Sequence, residues 1–408
     1  MKLSNGRHML AIPGPSIMPD RVLQAMHRPA PNIYSGLMEE ITYSVIADLK
    51  RVACTKGDVA IYISNGHGVW EASLANVMNK GDKVLALASG RFGEGWAQVA
   101  RRLGGNVQLL NYGVHKSFDE QELRDALIAD KSHEIKLLIT THVDTSSSIR
   151  YDIPKIRAIL DDVGHPALLM VDCIASLGCD RFEMDQWGVD VMIAASQKGL
   201  MTPPGIAFVF ANEKAKALRE GVENVSPYWD WKPRLNPQIF YQYYGGTAPT
   251  HHLFGLNEAL KMILDEEGLE NIWRRHEVLA NAIWAAFDAW GNVPDSTEPA
   301  VTMNVTDPSL RSHAVTTAKI SHQRATPMRI WLEESFGLTL GIGLGMAEMN
   351  DPEINSYFRI GHMGHLNAHM LLGTLSSVQA GLINFEIPHG NNAIENAALI
   401  CTQHLKTS

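Results

Sequence analysis

Cysteine is scarce, with only Cys54, Cys173, Cys179 and Cys401 among 408 residues. Their spacing fits no zinc-ligand pattern and is too sparse for a disulfide framework, so free thiols in a reducing compartment are expected. Positive charge is also in deficit, with 35 Lys and Arg against 44 Asp and Glu. The formal charge of −9 offers no net basic field to phosphates, which argues against nucleic acid or an anionic membrane as partner. No apolar run reaches the roughly 18 residues that a membrane helix needs. The opening MKLSNGRHMLAIPG has no apolar centre of signal-peptide length, and a cytoplasmic location is the expectation. Internal repeats and low-complexity tracts are missing as well. What remains is an ordinary globular composition, 45% apolar and 19% charged, in a chain long enough for roughly two to three domains.

The most informative stretch runs from Ala167 to Gly205. Ala167 to Val171 is an uninterrupted apolar run, the pattern of a strand buried on both faces, and Asp172 follows at once. Val189 to Ala195 reads as a second such strand and ends in Ser196-Gln197-Lys198. Neighbouring parallel strands would bring that acid and that amine to the same rim, where open α/β sheets place their ligands. A strand-end lysine with a strand-end carboxylate suits pyridoxal 5'-phosphate (PLP). The lysine forms the Schiff base, and the acid keeps the pyridine nitrogen protonated so that the ring can withdraw electrons. Alone, Lys198 would read as a solvated surface lysine; paired with Asp172 in this setting it does not.

Upstream, Ile12-Pro13-Gly14-Pro15 is an extended turn in which Gly14 lets backbone approach a ligand closely. Helices are expected from Asp20 and from Met38 to Val52, joined by a loop that includes Ile33-Tyr34-Ser35-Gly36. Val59 to Ile63 reads as a strand running into Ser64-Asn65-Gly66-His67-Gly68, then a helix from Val69 to Met78. A glycine turn between strand and helix N-terminus is an anion site in waiting. Strand and helix then alternate: Val84 to Ala88, Gly93 to Leu103, Val107 to Leu110, Asp119 to Ile128, Ile135 to Thr140, Ile153 to Asp162. The alternation predicts a mainly parallel, doubly wound α/β sheet. Ile206 to Ala211 is a further strand, a candidate for the antiparallel one. Ser226 to Pro249, dense in Trp, Tyr, Pro and Gly, is a long structured loop at a subunit interface or an active-site wall. A helical region from His252 to Trp290, broken near Glu267-Gly268, leads into a smaller α+β domain with strands at Val301 to Val305 and Phe358 to Ile360. The expected division is an N-terminal segment 1–15, a large domain 16–266 and a small domain 267–408.

HPALLMVD, DQWGVDV, SQKG and RIGHMG together carry a resemblance that spans most of the chain. It resembles the class V, fold-type I PLP aminotransferases of the alanine/serine/aspartate–glyoxylate group. The resemblance implies a homodimer with shared active sites, and ping-pong transfer of an amino group between a small amino acid and a small 2-oxo acid such as glyoxylate or pyruvate. It implies Lys198 as cofactor lysine and proton carrier, and Asp172 as partner of the ring nitrogen. Asn65, Gly66, His67 and Gln197 would serve the phosphate or its approach. Phe92 would stack on the ring, Ile174 would join the cofactor wall, and Thr145 would bond near the phenolic oxygen. Arg359 would clamp the α-carboxylate, with Gly14 and the Tyr34 loop beside the substrate. Tyr244 and Thr247 would reach the phosphate from the partner subunit.

Two departures from the group bear on the donor: Val143-Asp144-Thr145-Ser146-Ser147-Ser148 replaces an Asn-Glu or Gly-Glu run, and Ile33-Tyr34-Ser35-Gly36 carries no Arg. LASGRFGEGW, DTSS and RIGHMG are also similar to pyridoxamine–pyruvate aminotransferase, although Asn65 stands where that enzyme places an acid. A PLP lyase or desulfurase is the second alternative; a desulfurase would need a nucleophilic cysteine on a mobile loop of the second domain, where only Cys401 lies. A non-catalytic α/β binding protein is the third alternative. His362, His365 and His369 lack an acid or cysteine placed to complete a metal set, so no metal is expected.

Overall fold

The computed structural model describes residues 3–294 and 300–406. Residues 1–2 of the expected N-terminal segment, and 295–299 and 407–408 of the expected C-terminal domain, lie outside the described residues. A seven-stranded sheet forms the larger layer, in the order Asp58–Ser64, Gly205–Ala211, Val191–Ala195, Leu168–Asp172, Ile135–Thr141, Lys83–Ala88, Asn106–Asn111. Only Gly205–Ala211 runs antiparallel to its neighbours. Alternate residues along each central strand enter different cores. Leu169, Val171 and Met192 pack on one face. Leu168, Met170, Val191 and Ile193 pack on the other. Helices cover both faces, which is why these strands read as continuous apolar runs. Asp190 pins two strands together: its N–H donates to Leu169 O (2.9 Å), and its carboxylate accepts from Leu169 N (2.8 Å) and Asn212 Nδ2 (2.9 Å).

The first crossover helix starts earlier than its apolar pattern. It spans Gly66–Val77, because the Asn65 side chain caps it by accepting from His67 N and Gly68 N. Asp119 and Asp152 cap Glu120–Ala129 and Ile153–Asp162 in the same way. The aromatic loop is structured, with short helical turns at Lys232–Leu235 and Phe240–Tyr244. The break at Glu267-Gly268 is present: Gly268 takes φ +85° and separates Met262–Glu267 from the long helix Leu269–Gly291.

A second, five-stranded sheet has the order Met9–Ala11, Leu338–Ile342, Tyr357–Gly361, Val315–Ile320, Val301–Met303. Three of these strands were not expected from the sequence. Met9–Ala11 pairs in parallel with Leu338–Ile342, so the N-terminal segment is stitched into the C-terminal sheet. Tyr357–Gly361 lies at its centre and carries Arg359. The turn at Ser146 and Ser147, beyond Ile135–Thr141, is tied to the second sheet's chain: Thr317 Oγ1 and Asn304 Nδ2 donate to their carbonyls, at 2.9 and 2.8 Å.

Candidate active site

The register of the large sheet sets Asp172 opposite Ile193 on the adjacent parallel strand, whose chain continues past Ala195 into the turn holding Lys198. Both side chains line a single cavity of about 260 Å³. Buried Asp172 accepts from Ile174 N through Oδ1 and from Trp70 Nε1 through Oδ2, each at 2.7 Å. Burial raises its acid to about 6, against the opposing pull of these two donors. Burial, then the positive charge of Arg359, lowers the Lys198 amine to about 8, while Asp172 pulls it upward. Lys198 Nζ donates to the carbonyl of Pro13. Gly14, at φ +95°, lies so close that an added Cβ would sit 2.5 Å from Lys198 Cδ and Nζ.

The other walls are built from separate elements. Asn65, Gly66 and His67 come from the first turn of Gly66–Val77. Gly66 abuts Ile174, whose Cδ1 would be 2.6 Å from an added Cβ. Phe92 comes from the start of Arg91–Arg102, and Thr145 and Gln197 from the loops that follow strands. Gln197 Oε1 is buried without a hydrogen-bond partner, a polar atom awaiting a ligand.

Four of the expected residues do not line this cavity. Arg359 is 6% exposed and donates from Nε to Ile342 O (2.7 Å) and from Nη1 to Thr145 O (2.8 Å). It remains close enough to depress Lys198. Tyr34 is 80% exposed, on a loop turned by Asn32, whose side chain accepts from Tyr34 N. Thr247 is exposed. Tyr244 has its ring buried in the large core and its hydroxyl 2.5 Å from Thr42 Oγ1, so within this chain it packs.

Sequence reading missed Trp70, Pro15, Val143, Ala175 and Pro204 as lining residues. It also missed the work of Asp144. That buried carboxylate accepts from Phe92 N (2.8 Å), Gly93 N (3.0 Å), Ser146 N (2.9 Å) and Ser146 Oγ (2.5 Å). It caps the helix bearing Phe92 from outside the helix's own sequence. The signal was an acid standing within a run of hydroxyl residues. Gly90 makes room for it: an added Cβ would lie 2.6 Å from Asp144 Cγ.

A strand-end lysine and acid, a helix N-terminus at a glycine turn, an aromatic ring and an orphaned amide oxygen together fit PLP. Lys198 would hold the cofactor covalently, Asp172 its ring nitrogen, and the 65–67 turn its phosphate.

Residues 59–339 match the family model for class V aminotransferases. The chain is 35% identical to serine–glyoxylate aminotransferase of Methylorubrum extorquens, over 93% of this chain and 92% of that protein. It is 31% identical to L-aspartate–glyoxylate aminotransferase of Paracoccus denitrificans, over 92% and 91%. Pyridoxamine–pyruvate aminotransferase from Mesorhizobium loti shares the fold, with a TM-score of 0.85 at 21% identity over 99% of this chain and 100% of that one. With the architecture, the lysine–acid cavity and these likenesses agreeing, this chain belongs to the class V aminotransferases, PLP-dependent transaminases of fold type I.

Proposed function

We propose that the chain moves the amino group of a small amino acid, of the alanine, serine or aspartate kind, to a small 2-oxo acid such as glyoxylate or pyruvate. The observation that carries this reading is the delivery of Asp172 and Lys198 to one small cavity by adjacent parallel strands, with the Gly14 backbone against the lysine. The names of the relatives support the acceptor: the M. extorquens and P. denitrificans proteins both use glyoxylate.

When bound, PLP supplies the electron sink that makes the α-C–H of an amino acid acidic. The residues around it supply the rest. Lys198, with its amine lowered to about 8, has a neutral fraction at physiological pH and can take and return the α-proton. Asp172 would hold negative charge against the ring nitrogen. The positive dipole end of Gly66–Val77, already capped by Asn65, would hold the phosphate, with Gln197 beside it. Phe92 would pack on the ring, while Ile174 and Thr145 line the same cavity. Arg359, its plane set by two backbone carbonyls, offers a guanidinium fork to the substrate carboxylate. Gly14 leaves room for the substrate next to the amine.

The working unit in this reading is a cytoplasmic homodimer with shared sites. Thr247 and Tyr34 are both exposed and available to a partner subunit. Residues 16–266 form the cofactor domain, and 267–408 the small domain that carries Arg359. No helix among the described residues is long and apolar enough to cross a membrane.

A donor-by-acceptor activity matrix tests the proposal. The purified protein should absorb visible light, and borohydride should fix the cofactor on Lys198. Bleaching by small amino acids, with recovery on adding glyoxylate or pyruvate, is the expected result. No response to any amino acid, with turnover of free pyridoxamine and pyruvate, would replace this reading with that of the M. loti enzyme.

A further inference from the structure

Trp70 is 3% exposed and lines the cavity from the helix whose first turn holds Asn65, Gly66 and His67. Its indole is wedged in place. The His67 ring meets it edge-on with centroids 4.7 Å apart, and Phe92 does so at 6.4 Å. On the neighbouring helix Gly95 leaves it space, since an added Cβ there would lie 3.1 Å from Cη2 and Cζ3. Held this way, Nε1 donates to Asp172 Oδ2 at 2.7 Å, while Ile174 N donates to Oδ1 at the same distance. Two donors, one on each oxygen, leave the carboxylate no free rotation.

We propose that Trp70 is a positioning residue: with the Ile174 amide, its indole N–H locks the Asp172 carboxylate and keeps the proton shared between that carboxylate and the cofactor's ring nitrogen on the ring. A proton between two bases resides on the stronger one. Each hydrogen bond donated to the carboxylate weakens it as a base. The indole therefore tips the balance toward a protonated ring, the form that withdraws electrons. The inference rests on the reading that Asp172 faces the pyridine nitrogen of PLP.

Trp70→Phe removes the N–H and keeps an aromatic filler. With PLP carrying ¹⁵N at its ring nitrogen, the wild-type holoenzyme should show a pyridinium-like nitrogen shift, and Trp70→Phe should move it toward neutral pyridine. PLP affinity should fall roughly tenfold, the scale of one charge-assisted hydrogen bond. A cofactor-free readout covers the case of a variant that does not fold. In the indole ¹H–¹⁵N spectrum of the apo-chain, one resonance should titrate with a midpoint near 6 and stop moving in Asp172→Asn. An unchanged ring-nitrogen shift in Trp70→Phe, or no titrating indole in the wild type between about pH 4.5 and 8, would overturn the proposal while leaving the cofactor assignment standing. Failure of the wild type to take up PLP would overturn both.

Discussion

The backbone of Gly14 presses on the side chain of Lys198 so closely that a methyl group at Gly14 would overlap Cδ, Cε and Nζ, at 2.5 to 2.6 Å. Gly14 also has φ +95°, which L side chains rarely adopt. Gly14→Ala therefore carries about 1–2 kcal/mol of backbone strain and displaces the lysine, whose flexible end yields before the fold does. The expected outcome is a modest loss of thermal stability with at least a tenfold slower covalent uptake of PLP. Normal uptake kinetics would show that the contact constrains nothing.

Much of this site was readable in advance because strand order and chemistry coincide. Asp172 and Lys198 each follow an apolar run, and adjacent parallel strands leave their ends on one rim. The weaker signals failed for identifiable reasons. Gly66 and Gly68 are poor helix formers, which hid the start of Gly66–Val77; the Asn65 cap supplies what propensity does not. Val315–Ile320 includes buried Thr316 and Thr317, and Leu338–Ile342 includes Gly341, so neither showed an apolar run. Met9–Ala11 is three residues long and exists through its pairing with a strand more than 300 residues away. Trp70 carries no local signal in the sequence, because its bond to Asp172 crosses 102 residues and depends on helix placement. Tyr244 was placed by resemblance alone, and no local pattern could reveal that Thr42 holds it.

The pair formed by Tyr244 and Thr42 separates a packing role from a phosphate role. Thr42 Oγ1 donates to Met38 O at 2.7 Å, which leaves it to accept from the Tyr244 hydroxyl. Tyr244→Phe removes one buried hydrogen bond and should lower stability by about 1 kcal/mol, read from urea unfolding. PLP affinity should stay within about twofold. A tenfold loss of affinity at unchanged stability would restore the role across the subunit interface.

The buried amine of Lys198 weakens the apo-fold at neutral pH. Its folded value of about 8 lies below the ordinary 10.5, so between these values the unfolded chain holds a proton that the folded chain has released. Stability therefore rises with pH across that window, and the penalty is fully present below pH 8. Lys198→Met should stabilise the apo-chain by about 2–3 kcal/mol at pH 7, and that advantage should vanish as pH approaches 10.5. The same variant should show no transamination. Parallel unfolding curves for the two proteins from pH 7 to 10.5 would contradict the assigned burial of the amine.

Arg359 acts on Lys198 through charge and, in the proposed function, on the substrate through its guanidinium fork. Its positive field is the second cause of the lowered amine, after burial. Arg359→Gln keeps one amide for the carbonyls of Thr145 and Ile342 and removes the charge. The amine should then titrate above about 8, so the rising limb of covalent PLP uptake against pH moves to higher pH, because only the neutral amine attacks. KM for every carboxylate substrate should rise at least tenfold, with kcat falling less, because a lost charged pair to the carboxylate is ground-state binding. Arg359→Lys should not restore KM, since an ammonium cannot offer two parallel N–H donors from a plane fixed by backbone carbonyls. If KM is unchanged in Arg359→Gln while the pH limb moves, Arg359 tunes the lysine alone and another group holds the carboxylate.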